Sequence, residues 1–248
     1  MDPIHQFDVA KLYVFGHVGG AEIAFTISAL YMLMSVALIA LLMIGATRQR
    51  ALVPGRLQSA AEISYEFVAT TLERTTGPEG MKFFPLVFSL FMFILTVNLI
   101  GLIPYTFAVT AQIIITSSLA LLVFLTVIVY GFWTHGYRFL RIFVPRGIPI
   151  YILPLVTAIE VLSFLSRPLS HSVRLFANIL AGHITLKVFA GFVTMLSAWG
   201  ILGFIGAILP LGLTVALTAL ELLVAFLQAY VFAILTCIYL SDAIHGGH

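Results

Sequence analysis

The chain alternates long apolar stretches with short polar segments, at a spacing typical of membrane-spanning helices. Residues 23–45, 83–104 and 113–133 contain no charged side chain. Each stretch is long enough to cross the roughly 30 Å hydrocarbon core of a bilayer as a helix. The pattern therefore predicts three conventional spans, preceded by an outer N-terminal segment over residues 1–22.

Basic residues predict the orientation of these spans. The linker over residues 105–112 contains no lysine or arginine, whereas the segments that follow the first and third spans are basic. Basic loops favour the cytoplasmic side, so the N-terminus is predicted outside and both basic segments inside. Their arginines are Arg48, Arg50 and Arg56 after the first span, and Arg138, Arg141 and Arg146 between His135 and Pro149.

Residues 57–76 have a different pattern, with acidic side chains on one helical face. Glu62, Glu66 and Glu73 share that face, and the apolar residues lie largely away from it. This predicts an amphipathic helix that lies on the inner membrane surface or packs on a partner. A solvated connector is the alternative. The apolar residues are Leu57, Ala61, Phe67, Val68 and Leu72.

The last ninety or so residues of the pattern allow either four short spans or two long helices. We favour two helices, over 150–196 and 200–240 with a turn near Ser197 to Gly200, because polar residues recur evenly and no polar linker divides the stretch. A helix of about 40 residues is about 60 Å long and must tilt strongly or bend within a bilayer. The predicted fold is a single all-α polytopic membrane domain.

Composition supports the membrane class and excludes several functions. The chain is 61% hydrophobic and 9% charged, whereas soluble domains are about 25% charged. A net charge of +2 gives no reason to expect nucleic acid as a partner. One cysteine excludes a multi-cysteine metal site, and no GxxxxGK[ST] loop is present to bind nucleotide. We expect no metal and no cofactor.

Polar side chains nevertheless recur inside the two long helices. On the first helix a stripe follows spacings of 7, 4, 3 and 4 residues, and two further polar groups share a face of the second helix. His183 lies about half a turn away from Arg174. Such groups cannot face lipid, and by default they indicate function. The stripe is Glu160, Arg167, His171, Arg174 and Asn178, and the second pair is Glu221 and Gln228.

Arg174 carries the clearest chemical implication, because a guanidinium cannot lose its proton to escape an apolar setting. Internal ion pairs, such as Glu221 with His183, are one interpretation. Counting Lys187, however, the intramembrane cations outnumber the carboxylates, which favours a carboxylate supplied to Arg174 by another subunit. His183 and Glu221 are the candidate proton relays. Lys187 and Arg167 can reach an interface, and Arg167 can do so while it pairs with Glu160.

Two motifs in the predicted long helices resemble those of a known protein family. RLFANILAGH from Arg174, followed by ELLVAFLQAYVF from Glu221, resembles subunit a of the F-type ATP synthase membrane sector. The resemblance implies two long tilted helices against a rotating ring of c subunits. It also implies b-type peripheral stalk and other ATP synthase subunits as partners, in a lipid bilayer. A bacterial inner membrane is expected, with an organelle inner membrane as the alternative.

The resemblance also implies roles for individual residues. Arg174 matches the essential arginine that faces the ring carboxylate. His171 is a departure, since a leucine-like residue is expected there, and our hypothesis is a solvated histidine on the inner pathway. The outer half-channel residues implied are Asn178, His183, Glu221 and Gln228, and those of the inner half-channel are Glu160 and Ser170, with His171 added by our hypothesis.

The predicted function is therefore that of a proton-translocating stator subunit, which is not an enzyme by itself. Two offset half-channels separated by Arg174 would couple proton flow to ring rotation and ATP synthesis. A stand-alone transporter and a structural scaffold are the rival classes. The absence of an internal repeat disfavours the transporter, and the intramembrane charges disfavour the scaffold. The sequence leaves open the ring size and the choice of H⁺ over Na⁺.

Overall fold

A computed structural model describes residues 11–18, 21–48, 54–103, 106–143 and 151–245. These residues form two strands, six α-helices and three 3₁₀ helices. The 3₁₀ helices span Pro78–Phe83, Val109–Ala111 and Gly136–Phe143. The strands and α-helices are β1 (Lys11–Val18), β2 (Ala21–Thr26), α1 (Ile27–Arg48), α2 (Arg56–Thr76), α3 (Phe84–Gly101), α4 (Ile113–His135), α5 (Leu153–Ser197) and α6 (Gly200–His245).

The two strands depart from the all-α prediction. β1 and β2 pair as an antiparallel hairpin, with Lys11 opposite Thr26 and Val18 opposite Ala21. The predicted first span began at residue 23, but the hairpin extends to Thr26 and α1 begins at Ile27. Thr26 lies at this junction, and its hydroxyl oxygen accepts a bond from the Ala29 backbone N–H at 3.4 Å. That contact is typical of a helix N-cap.

Five helices are long and apolar enough to cross a membrane, which confirms the predicted helical membrane class. Three correspond to the predicted conventional spans and include α1, α3 and α4. Within the described residues, α1 is largely exposed, and only 11% of its most apolar 18-residue stretch is buried. Exposed apolar helix surface is stable against lipid chains. The predicted span end at Pro104 and the basic residues Arg50 and Arg146 lie outside the described residues.

Helix α2 packs its apolar face against helices of the same chain. Val68 and Leu72 are buried, while Leu57 is exposed. The Phe67 ring lies 5.6 Å from the Phe91 ring of α3 and 5.3 Å from the Tyr230 ring of α6. The acidic face is exposed, as the pattern predicted. These contacts do not fit a free solvated connector.

The C-terminal region contains two long helices rather than four short ones. α5 has 45 residues and α6 has 46. They are separated by a two-residue turn, after which Gly200 adopts a φ of 76°. Glycine tolerates that left-handed conformation because it has no Cβ. Both helices continue through an internal proline, Pro168 in α5 and Pro210 in α6.

The segment between α3 and α4 folds back into the protein, although the sequence indicated only an outer linker. Val109 and Thr110 are each about 1% exposed. Ala108 and Ala111 form a small buried cluster with Ile179 of α5. The apolar composition of this segment is the signal that favoured burial.

The described residues group into two compact units. The first comprises the described parts of Met1–Ala40, Phe93–Gln112 and Leu175–Gln228. The second comprises those of Leu41–Met92, Ile113–Arg174 and Ala229–His248. Helices α1, α3, α5 and α6 each contribute residues to both units.

Candidate functional site

Helix α5 separates its polar residues between a buried and an exposed side. His171 and Ser172 are buried, whereas Ser170 and Arg174 are exposed. Residues three or four apart share a face of an α-helix. Arg174 accordingly lies on the same exposed side as Asn178, one turn further on.

Arg174 is exposed at the protein surface, although its closest neighbours along the chain are apolar. The following residue, Leu175, is 3% exposed, and the preceding residue, Val173, is 41% exposed. An exposed guanidinium in an apolar helix has two stable settings, which are water and an opposite charge. Arg174 and Asn178 thus lie on the exposed side of α5.

Glu221 is buried on α6, in contact with the backbone of α5. Its carboxylate occupies the place that a β-carbon on Gly182 would take. Such a β-carbon would clash with Oε1 of Glu221 and would lie 2.9 Å from Cδ. Within the described part of the chain neither carboxylate oxygen has a hydrogen-bond partner. An internal hydrogen bond between Glu221 and His183 is therefore not formed, although the two groups lie on neighbouring segments.

His183 follows Gly182 directly and lies beside α3. Its Nε2 atom is 3.9 Å from the position that a β-carbon would take if Gly101 were alanine. One turn earlier on α3, Asn98 is 2% exposed. Its amide nitrogen donates to the Ala225 carbonyl at 3.4 Å, and its carbonyl oxygen accepts a 2.8 Å bond from the Thr110 hydroxyl.

These contacts define an outer cluster within the first unit, made of Gly101, Asn98, Thr110, Gly182, His183 and Glu221. Two further predicted outer residues belong to the same unit. Gln228 is 7% exposed, like Glu221 on the same helix, and Asn178 is exposed. All four residues predicted for the outer pathway are thus in the first unit.

The residues predicted for the inner pathway are all in the second unit. Glu160 is half-buried and Ser170 is exposed. His171 is 5% exposed and packs edge-on against Phe232, with ring centroids 4.0 Å apart. The hypothesis that His171 is a solvated histidine is therefore wrong for this chain, because an aromatic ring of α6 covers it.

Arg167 pairs with Asp242 rather than with Glu160. Its guanidinium donates to the Asp242 carboxylate at 2.7 Å, across the two long helices. The same group lies 5.3 Å from the Phe164 ring centroid and 5.1 Å from that of Tyr239. Charge pairing and two aromatic faces hold Arg167 in place, so the predicted pairing with Glu160 is incorrect.

Ser172 adds a polar contact between α5 and α4. Its hydroxyl oxygen lies 3.1 Å from the Thr116 hydroxyl and 2.9 Å from the Ser117 hydroxyl. Interhelical bonds between small hydroxyl side chains are typical of packed membrane helices. They fix the buried side of α5 that also carries His171.

Several of these residues were missed by sequence reasoning. Asn98 lies in a stretch interpreted only as a span, and Asp242 near the end of α6 received no role. A buried amide in an apolar span is a recognisable signal, whereas the partner of Asp242 is 75 residues away and has no local pattern. Among the described residues, no three His, Cys, Asp or Glu side chains are placed to hold a metal ion.

Comparison with known proteins finds close relatives over the whole chain. The family described as ATP synthase A chain matches residues 29–241. ATP synthase subunit a of Rhodopseudomonas palustris strain BisB18 is 66% identical over 248 residues, covering 100% of both chains. The subunit a of Nitrobacter winogradskyi is 67% identical with the same coverage. That of Bradyrhizobium diazoefficiens is 67% identical over 249 residues, covering 100% of this chain and 99% of the relative.

Proposed function

The chain belongs to the ATP synthase A chain family, and from this premise we propose that it is the proton-translocating stator subunit of a rotary ATP synthase. As a subunit a it is a membrane-embedded component of ATP synthesis and proton transport, and not a catalyst by itself. Its partners are the other ATP synthase subunits, including a c-subunit ring and a b-type peripheral stalk. Because the matched relatives are bacterial, we assign it to the bacterial inner membrane.

The outer cluster supports an entry half-channel. Glu221 is buried beside the backbone next to His183, and the buried Asn98–Thr110 pair extends the polar cluster to α3. A carboxylate and an imidazole are groups that take up and release protons, and amides and hydroxyls can order water between them. In this proposal protons pass along His183, Glu221, Gln228 and Asn178 to the exposed side of α5.

The second unit supports an exit half-channel. Glu160 is half-buried, and Arg167 is held by Asp242. Arg167 bonds Asp242 rather than Glu160, and in this proposal the ring carboxylate releases its proton near Glu160. Ser170 is exposed on the same helix. His171 lies beneath this surface, packed on Phe232.

Arg174 separates the two pathways in this mechanism. A ring carboxylate accepts a proton from the outer pathway and becomes neutral, so it can enter lipid at a tolerable cost. After nearly a full turn it gives the proton to the inner pathway and becomes ionised beside Arg174. A fixed cation favours the ionised carboxylate and cannot itself carry protons. Each charge that crosses 100 mV contributes about 2.3 kcal/mol to rotation.

The observation that carries this proposal is the exposure of Arg174 on a predominantly apolar helix. The test is Arg174→Ala in the intact complex, measured as proton-driven ATP synthesis in membrane vesicles. We expect synthesis to be abolished. Lys187→Ala is the matched control, because it removes another exposed cation from α5. Synthesis near the normal rate in the Arg174 variant would refute the assignment.

Assembly is measured in the same preparations. Comigration of the chain with an oligomeric ring of small proteolipids shows that the complex is intact, so a loss of synthesis then reflects coupling. Autonomous proton transport by the purified chain without a ring would instead favour a stand-alone transporter.

A further inference from the structure

An apolar groove of about 820 Å³ lies along one side of α4, within the second unit. Leu121, Leu125 and Val129 line its length, and each is at least 50% exposed. Phe83, just before α3, closes one side. From Leu121 to Trp133 the groove follows α4 for about 18 Å. That length exceeds one leaflet of the hydrocarbon core, which is about 15 Å thick.

Two amphipathic aromatic rings line one end of the groove, and a cation lies beside one of them. The Lys82 ammonium lies 3.5 Å from the Tyr130 hydroxyl and 6.0 Å from the centre of the Tyr130 ring. Trp133 lines the same end and is 88% exposed. Tryptophan and tyrosine favour the headgroup level of a bilayer. This end therefore has the features of a membrane interface, and the leucine-lined remainder those of the hydrocarbon core.

We propose that this groove binds an anionic phospholipid, with one acyl chain along α4 and the phosphate beside Lys82. The assignment to the inner leaflet rests on the proposed orientation, in which α4 ends on the inner side. Basic positions at the cytoplasmic side of membrane helices attract acidic headgroups. A zwitterionic lipid brings its own cation beside the phosphate, so its net attraction to Lys82 is smaller.

The side chains of the groove favour a lipid chain over a helix from another subunit. Helix pairs in membranes approach through small residues and shared polar bonds. The two aliphatic hydroxyl groups in the groove are already used within α4, since Ser118 donates to the Ile114 carbonyl at 2.7 Å and Thr126 to the Leu122 carbonyl at 2.8 Å. The third hydroxyl, that of Tyr130, accepts from Lys82. The rest of the lining is aliphatic or aromatic, and a partner helix would have to bring an anion to Lys82.

The experiment uses the intact ATP synthase complex in nanodiscs that contain a phospholipid with a photoreactive acyl chain. The probe is phosphatidylglycerol in one preparation and phosphatidylcholine in the other. After illumination, mass spectrometry locates labelled peptides. We expect phosphatidylglycerol to label residues 118–133, and Lys82→Gln to lower that yield about fivefold, the factor for one basic group near an acidic surface.

Three variants complete the test. Lys82→Arg keeps the charge and restores labelling, and Lys187→Gln, which removes an exposed lysine from α5, leaves it unchanged. Leu125→Trp fills the groove and lowers the labelling by both lipids. Equal labelling by the two lipids, insensitive to Lys82→Gln, would overturn the proposal, as would labelling of another subunit's helix at this face. Because the readout is lipid labelling, its failure is distinguishable from failure of proton transport.

Discussion

Replacing Gly182 with alanine tests the geometry on which the outer cluster depends. The new β-carbon would meet the Glu221 side chain in hard contact at Oε1, 2.9 Å from Cδ and 3.1 Å from Cγ. Ordinary contact begins near 3.4 Å, so the carboxyl carbon must retreat by at least half an ångström and Oε1 by more. Glu221 is 7% exposed, so little open space receives it.

The energetic cost follows from overpacking a buried position. Inserting a methylene-sized group into a packed site costs about 1–3 kcal/mol. Since 1.4 kcal/mol corresponds to a factor of ten, the ratio of native to displaced Glu221 positions falls by about 5- to 150-fold. ATP-driven pumping runs the motor in reverse, so protons leave through the outer cluster. If that transfer requires the native position of Glu221, pumping falls by up to the same factor.

The assay is fluorescence quenching by inverted membrane vesicles, normalised to the amount of assembled complex. Gly191→Ala is the matched control. Gly191 is on the same helix as Gly182, and a β-carbon there would have no neighbouring atom within 4 Å. Combining Gly182→Ala with Glu221→Asp shortens the clashing side chain and should restore part of the activity. Pumping by Gly182→Ala at the Gly191→Ala rate would show that the contact does not matter. Failure of the double variant to recover would show that another defect is responsible.

The remaining predictions concern four other positions. Asn98→Ala removes two buried hydrogen bonds and should lower the free energy of unfolding of assembled subunit a by about 1 kcal/mol. Thr110→Val removes one of the two bonds and should lower it by about half as much. A larger loss for the threonine variant would contradict the network. Asp242→Asn weakens the pairing with Arg167. It should lower the temperature at which the complex releases subunit a by about 2–4 °C. An unchanged release temperature would mean that the pair does not stabilise the protein. His183→Ala should slow proton uptake from the outer side while the complex still assembles; loss of assembly alone would make the histidine structural.

The sequence predicted those parts of the fold that depend on local periodicity. Uncharged apolar stretches gave the membrane helices, and the even recurrence of polar residues after residue 150 gave two long helices instead of four. The hairpin over Lys11–Val18 and Ala21–Thr26 was missed. Two apolar runs around Gly19 and Gly20 are typical of a hairpin, and that signal was available.

Contacts between distant segments were not predictable in the same way. Helical spacing brings Arg167 near Glu160 along one helix, so it suggested the wrong partner. The observed partner, Asp242, is on another helix and depends on how α5 and α6 pack. The same holds for Glu221 against Gly182, and for His171 beneath Phe232. Residue type and spacing identified the polar groups, whereas packing decides which of them meet.

The most direct test of the central claim is a density map of the intact ATP synthase that resolves the surroundings of Arg174. The account predicts a carboxylate of a ring subunit facing the guanidinium across the exposed side of α5, within about 4 Å when ionised. An Arg174 neutralised by an acid of its own chain, with only lipid beyond it, would contradict the account.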